Sequence, residues 1–110
     1  MEKTAALVAL AALAQETRLD MFRLLVEEGA AGCSAGRIGE RLGLPAATAS
    51  FHLGHLRQAG LIRVRRAGRS RIYAAEYEAM NRLIDFLTTN CCHGDPRACG
   101  LAPSRLTVQP

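Results

Sequence analysis

Near the end of this 110-residue chain the sequence reads NCCHGDPRAC, so Cys91, Cys92 and Cys99, three of the four cysteines, fall within nine positions with His93 among them. Gly94 and the Asp95-Pro96 pair supply turn chemistry that can bring Cys99 back toward Cys91 and Cys92. Three soft sulfurs on so short a segment suit a thiophilic ion. Trivalent arsenic or antimony takes three thiolates in a pyramid with a lone pair at its apex and needs no fourth ligand. Zinc takes four ligands in a tetrahedron, and His93 is available as the fourth, but adjacent cysteines match that geometry less well than a Cys-x2-Cys spacing. The residue types therefore favour arsenic(III) or antimony(III), with a divalent ion, or a redox or structural role for the thiols, as alternatives.

Adjacent cysteines seldom bridge and Cys33 is remote, so reduced thiols in a cytoplasmic protein fit better than a disulfide framework. Cys33 reads as a small buried hydrophobe. A thiol enzyme would need a depressed thiol pKa. Cys91 and Cys92 read as lying at the C-terminus of the last helix, where the dipole disfavours a thiolate, and only His93 and Arg97 argue the other way. There is no phosphate loop, paired-acid motif or nucleophile elbow, and the chain is short for a substrate cavity. Arsenate reduction or other thiol redox chemistry is the weaker reading, and no catalytic residues are assigned.

The elements that must position these groups are mostly helical. Residues Ala5 to Ala14 form an apolar run with some likeness to a short signal peptide. Read instead as a first helix, it carries a stripe of Leu7, Leu10 and Leu13 with Ala6 and Ala14 that faces the next helix. No run approaches the ~18 apolar residues of a membrane span, so no membrane partner is expected. ETRLDMFRLLVEEG spaces Leu19, Phe22, Leu25 and Val26 as a second helix stopped by Gly29. After an AAGC loop, Ser34 caps a third helix with Ile38 and Leu42 inward and Gly43 at its end. Pro45 opens a fourth, which aligns Ala49, Leu53 and Leu56 and closes at Gly60. LIRVRR and RIYAA then alternate as two strands around Gly68, and EYEAMNRLIDFLTTN is a last helix with Tyr77, Met80, Leu83 or Ile84, and Leu87 on one face. From Gly100 the sequence has no period and reads as a frayed tail.

The net charge of +4 hides an asymmetry. Between Arg41 and Ala75 there are seven arginines and no acid, while the rest of the chain has seven basic and ten acidic residues. One contiguous third is suited to an anion. Two helices joined by a Gly-containing turn and followed by a basic hairpin make a winged helix-turn-helix, so the expected class is mainly α with a small β-hairpin. On the fourth helix, the side opposite its core residues carries Ala47, Phe51, Gly54 and Gln58, flanked by Thr48, Ser50 and His55. Thr48 and Ser50 suit base edges or phosphates, Phe51 a thymine methyl, and His52 and His55 phosphates or bases from the flanks. Arg57 and the wing residues Arg69 and Arg71 complete the expected DNA contacts. His52 also fits a half-packed place against the core. No Asn, Gln or Arg in the first two turns can make a bidentate base contact.

Two segments, ETRLDMFRLLVEEG and LGLPAATASFHLGHLRQAGLIRVRRAGRSRIYAA, resemble the ArsR/SmtB family of bacterial metal-responsive repressors. The marks are Ser50, His52 and Leu53 of a Ser-x-His-Leu recognition helix, the Ala59-Gly60-Leu61 that follows, and Gly68 and Tyr73 in the wing; the likeness covers about residues 5–90. It implies a homodimer built from the first and last helices, a palindromic operator of double-stranded DNA, and repression relieved when a metal or metalloid binds. No cofactor is then required for DNA binding itself. Many arsenic sensors of the family carry Cys-x-Cys at the start of the third helix, where this chain has only Cys33 in GCSAGRIGE. Its zinc and cadmium sensors use acid and His ligands on the last helix, which here has no His. The resemblance therefore puts the sensing site at Cys91, Cys92 and Cys99, as in a subgroup of arsenical repressors whose three cysteines follow the last helix. A zinc- or cadmium-responsive site of Cys91, Cys92, His93 and Cys99 is the alternative. The expected organisation is a DNA-binding and dimerisation domain over residues 1–90 and a metalloid-binding loop and tail over 91–110.

Overall fold

The computed structural model describes residues 1–94, with Cys91 and Cys92 as backbone only. The thiols of Cys91 and Cys92, Cys99 and the tail thus lie outside the described residues. Five helices and a three-stranded antiparallel sheet follow one another: α1 (Lys3–Leu13), α2 (Glu16–Glu28), β1 (Cys33–Ser34), α3 (Ala35–Leu42), α4 (Ala46–Gln58), β2 (Ile62–Ala67), β3 (Ser70–Ala75) and α5 (Tyr77–Thr88). This is a winged helix-turn-helix, mainly α with a small sheet. No helix among the described residues is long and apolar enough to cross a membrane.

The turn between α3 and α4 is set by local chemistry. Ser34 Oγ accepts from the Arg37 amide at 3.2 Å and caps α3. Gly43 ends that helix in the left-handed region at φ 66°, with Leu44 N donating to Gly39 O at 2.8 Å and Gly43 N to Glu40 O. These two bonds form a Schellman motif and satisfy carbonyls the helix leaves open. Pro45 then precedes α4, because it cannot extend α3. The same motif closes α4: Gly60, at φ 79°, donates to Arg57 O while Leu61 donates to Leu56 O. α4 is thereby fixed at both ends.

The core is apolar throughout, with no buried polar residue among the described ones. Met21, Leu25, Ile38, Leu53, Leu56 and Leu61 are its largest fully buried side chains, each stabilising by about 1.5–3 kcal/mol relative to exposure. Ala49, Leu53 and Leu56 anchor α4, as the helical spacing predicts.

Three expectations need correction. In α1 the buried face is Ala6, Ala9 and Ala12, whereas Leu7 and Leu10 of the expected inward stripe are 58 % and 38 % exposed. Alanines permit a close approach to the rest of the chain and turn the bulky residues outward. In α2 the buried set is Met21, Phe22, Leu24 and Leu25, and Leu19 is exposed. α2 packs against α1, α3, α4 and β3, so its apolar arc is wider than one stripe and its first turn lies beyond it. Finally, α5 ends at Thr88, and after Asn90, at φ 59°, Cys91–Gly94 forms a separate turn of 3-10 helix. The two cysteines therefore follow α5 in a turn of their own and do not lie in its last turn.

The hairpin also has a third strand. β1 pairs with β3, with Cys33 opposite Tyr73 and Ser34 opposite Ile72. This approach requires Gly32: a Cβ there would lie 2.5 Å from the Tyr73 carbonyl oxygen, and its φ is 77°.

Candidate nucleic-acid interface

The outer side of α4 is built from small residues around one large ring. Ala47, Ser50, Gly54 and His55 are exposed, and Thr48 and His52 are half-buried. Phe51 stands among them 61 % exposed. Its ring meets His55 edge-on at 4.8 Å and His52 edge-on at 5.2 Å between centroids. Such contacts restrict the ring without covering it.

His52 faces inward as well. Its Nδ1 lies 3.2 Å from Nη1 of Arg18. A guanidinium only donates, so Nδ1 accepts and the ring is neutral with its proton on Nε2. Burial first, then the charges of Arg18 and His55, push the His52 pKa below its ordinary value. Arg18 also donates through Nε to Ala12 O at 2.7 Å, and its amide donates to Gln15 Oε1 at 2.8 Å, the cap of α2. Nothing in the sequence pattern singles out Arg18; its role follows from the third dimension alone.

The arginines divide into two groups. Arg41 is paired with Glu28 at 2.7 Å, Arg63 with Glu76 at 3.5 Å, and Arg65 donates to Ala31 O at 3.0 Å. Arg57, Arg66, Arg69 and Arg71 are exposed and have no carboxylate partner among the described residues. Arg66 and Arg71 face each other across the β2–β3 ladder. Like charges directly opposite cost stability, so this pairing suits an anion supplied from outside. Gly68, at φ 63°, allows the two-residue loop that brings Arg69 to the tip. Together α4 and the wing present a cationic surface with an apolar ring at the centre of the helix.

Comparison with known proteins agrees with this arrangement. The helix-turn-helix domain family matches residues 13–65. The HTH-type transcriptional regulator KmtR of Mycobacterium tuberculosis is 33 % identical over 76 % of this chain, which spans 62 % of that protein. An uncharacterised HTH-type regulator of Bacillus subtilis, YbzH, is 34 % identical, with 71 % of this chain and 90 % of that one covered. Among solved structures, an ArsR-like transcriptional regulator from Rhodococcus sp. RHA1 superimposes with a TM-score of 0.72 at 27 % identity, covering 86 % of this chain and 87 % of that one. The chain belongs to the ArsR/SmtB family of transcriptional regulators.

His93 is exposed at φ 56°, beside Gly94 at φ 91°. No three His, Cys, Asp or Glu side chains converge on a metal position among the described residues. Cys33 is 3 % exposed in the core, and burial raises its thiol pKa, with Glu28 adding to the effect.

Proposed function

We propose that this ArsR/SmtB protein is a homodimeric repressor that binds a palindromic operator and releases it when arsenic(III) or antimony(III) binds Cys91, Cys92 and Cys99. The observation that carries the DNA half is the surface of α4 and the wing, where Arg57, Arg66, Arg69 and Arg71 have no carboxylate partner among the described residues. Thr48, Ser50, Phe51 and His55 are presented toward the groove, and these arginines flank it along the phosphates. The homodimer is supported by Leu7, Val8 and Leu10 of α1 and Leu87 of α5, which are exposed on helices in contact with each other. A site built of three reduced thiols suits a cytoplasmic protein.

The ligand reading rests on the donor set. Arsenous acid carries three hydroxyls; three thiols form three As–S bonds, three As–O bonds break, and the thiol protons leave with the hydroxyls as three waters. No redox change and no net proton release accompany binding, whereas a divalent ion must expel a proton from each thiol.

The test is titration of the DNA-bound protein with arsenite, antimonite, zinc and cadmium, with calorimetry in buffers of different ionisation enthalpy. Arsenite should dislodge the DNA, consume three thiols per chain and release no protons. Cys91→Ser, Cys92→Ser and Cys99→Ser should each repress without responding, and Cys33→Ser should respond normally. Release of DNA by zinc alone, with proton release, would replace this site by Cys91, Cys92, His93 and Cys99.

A further inference from the structure

Arg18 joins three elements by hydrogen bonds. Its Nε–H holds the carbonyl of Ala12 in the last turn of α1, its amide is tied to Gln15 at the start of α2, and Nη1 donates to His52 of the recognition helix. Beside this strut a cleft of about 500 Å³ opens between α1 and the C-terminal half of α4, lined by Val8, Ala11, Ala12, His55, Gln58 and Ala59 together with Arg18 itself. Close packing therefore does not fix the angle between these two helices along that length, and a polar bridge at its inner end has leverage. Two discrete bonds from one planar cation define both distance and direction, which a lysine in its place cannot do.

Resting on the reading of α4 as a recognition helix, we propose that Arg18 is a positioning residue for operator recognition, holding α4 at a set angle to α1 through the acceptor nitrogen of neutral His52. α1 carries the exposed Leu7 and Leu10, so the same strut links the apolar surface expected to meet a second copy to the helix that reads bases. General attraction to phosphates does not depend on that angle; discrimination between sequences does. The groups facing His52 are Arg18 from α2 and His55 from its own helix, and α1 contributes the Ala12 carbonyl that shares the guanidinium. Protonating His52 removes the acceptor and sets two cations against each other. As pH falls below the ordinary histidine range, near about 6.5, the strut is lost while the added charge favours any DNA.

The experiment compares affinity for a duplex selected by the protein from a randomised pool with affinity for an unrelated duplex of equal length, from pH 8 to pH 5.5. Arg18→Ala should lower affinity for the selected duplex about tenfold, the worth of one charge-assisted hydrogen bond, and leave affinity for the unrelated duplex within about twofold. Arg18→Lys should not restore it. His52→Asn keeps an acceptor near the Nδ1 position that cannot titrate, so its specificity ratio should be flat with pH where the wild-type ratio falls. The wild-type pH profile needs no substitution and stands even if Arg18→Ala unfolds. An equal loss on both duplexes for Arg18→Ala, or matching profiles for wild type and His52→Asn, would overturn the strut. Absence of salt-dependent binding to either duplex by the wild type would remove the DNA reading itself.

Discussion

The hydroxyl of Tyr77, the first residue of α5, donates to the carbonyl of Val26 in the last turn of α2 at 2.8 Å. It satisfies a carbonyl that the end of α2 leaves open and joins α5 to the helix that runs into the helix-turn-helix. Tyr77→Phe keeps the ring and loses the bond, so urea unfolding should show a loss of about 1 kcal/mol. An unchanged midpoint would mean that water replaces the hydroxyl at no cost.

The outward leucines of α1 predict oligomeric state. Leu10→Glu places a charge on the apolar surface without touching the alanine face that packs inside. Sedimentation equilibrium should show a monomer that is still folded by circular dichroism. In the proposed dimer two half-sites are bound together, so its loss should lower operator affinity at least about a hundredfold.

The opposed arginines of the wing predict effects of opposite sign on stability and binding. Arg71→Ala relieves the repulsion with Arg66 across the ladder, raising stability by up to about 1 kcal/mol. It should also weaken binding on any sequence and reduce the slope of log affinity against log salt by about one. Arg69→Ala, at the turn, should show the same reduced slope without the gain in stability. A thermal midpoint that falls in Arg71→Ala would show that the arginine stabilises the wing in a way the register does not reveal.

Much of this architecture is legible in local signals. Ser34, Gly43, Pro45 and Gly60 punctuate α3 and α4 at the positions the structure uses, because capping and left-handed turns depend only on neighbouring residues. Ala49, Leu53 and Leu56 were recoverable from helical period for the same reason. The face of α1 was not: a helix of alanine and leucine offers two apolar faces, and only tertiary packing decides which goes inside. β1 is two residues long and gives no alternation to detect. Arg18 is invisible for a different reason, since its partners Ala12 and His52 are brought together by the crossing of helices. The same limit applies to arginine counting, which cannot separate Arg41, Arg63 and Arg65, held by Glu28, Glu76 and the Ala31 carbonyl, from Arg57, Arg66, Arg69 and Arg71, which have no carboxylate partner among the described residues.

Cys33 provides a test of burial. Its raised thiol pKa means less thiolate at a given pH than in the unfolded chain, first from burial and then from Glu28. In a chain carrying Cys91→Ser, Cys92→Ser and Cys99→Ser, Cys33 should react with an aromatic disulfide at pH 8 at least about a hundredfold more slowly when folded than in urea. A folded pKa above the unfolded one favours the neutral thiol, so this contribution to stability is present at neutral pH. It is lost as pH rises past the ordinary thiol range of about 8.5. Prompt reaction of the folded chain would show that the β1 edge opens readily.

Phe51 predicts how the helix distinguishes sequences. With no bidentate reader in the first two turns of α4, the ring held edge-on between His52 and His55 is, on the proposed reading of α4 as the recognition helix, the largest group offered to the groove. An apolar ring on the major-groove side matches the thymine methyl. Replacing each thymine of a selected duplex by deoxyuridine removes one methyl and no hydrogen bond. One symmetric position per half-site should lose about fourfold in affinity, near the ~0.8 kcal/mol of a buried methyl-sized group. In Phe51→Ala that position should become indifferent to the methyl, while the salt slope set by the arginines is retained. If no thymine responds, or if the response survives in Phe51→Ala, discrimination resides elsewhere on α4, with Ser50 and Thr48 the nearest polar groups on the same side.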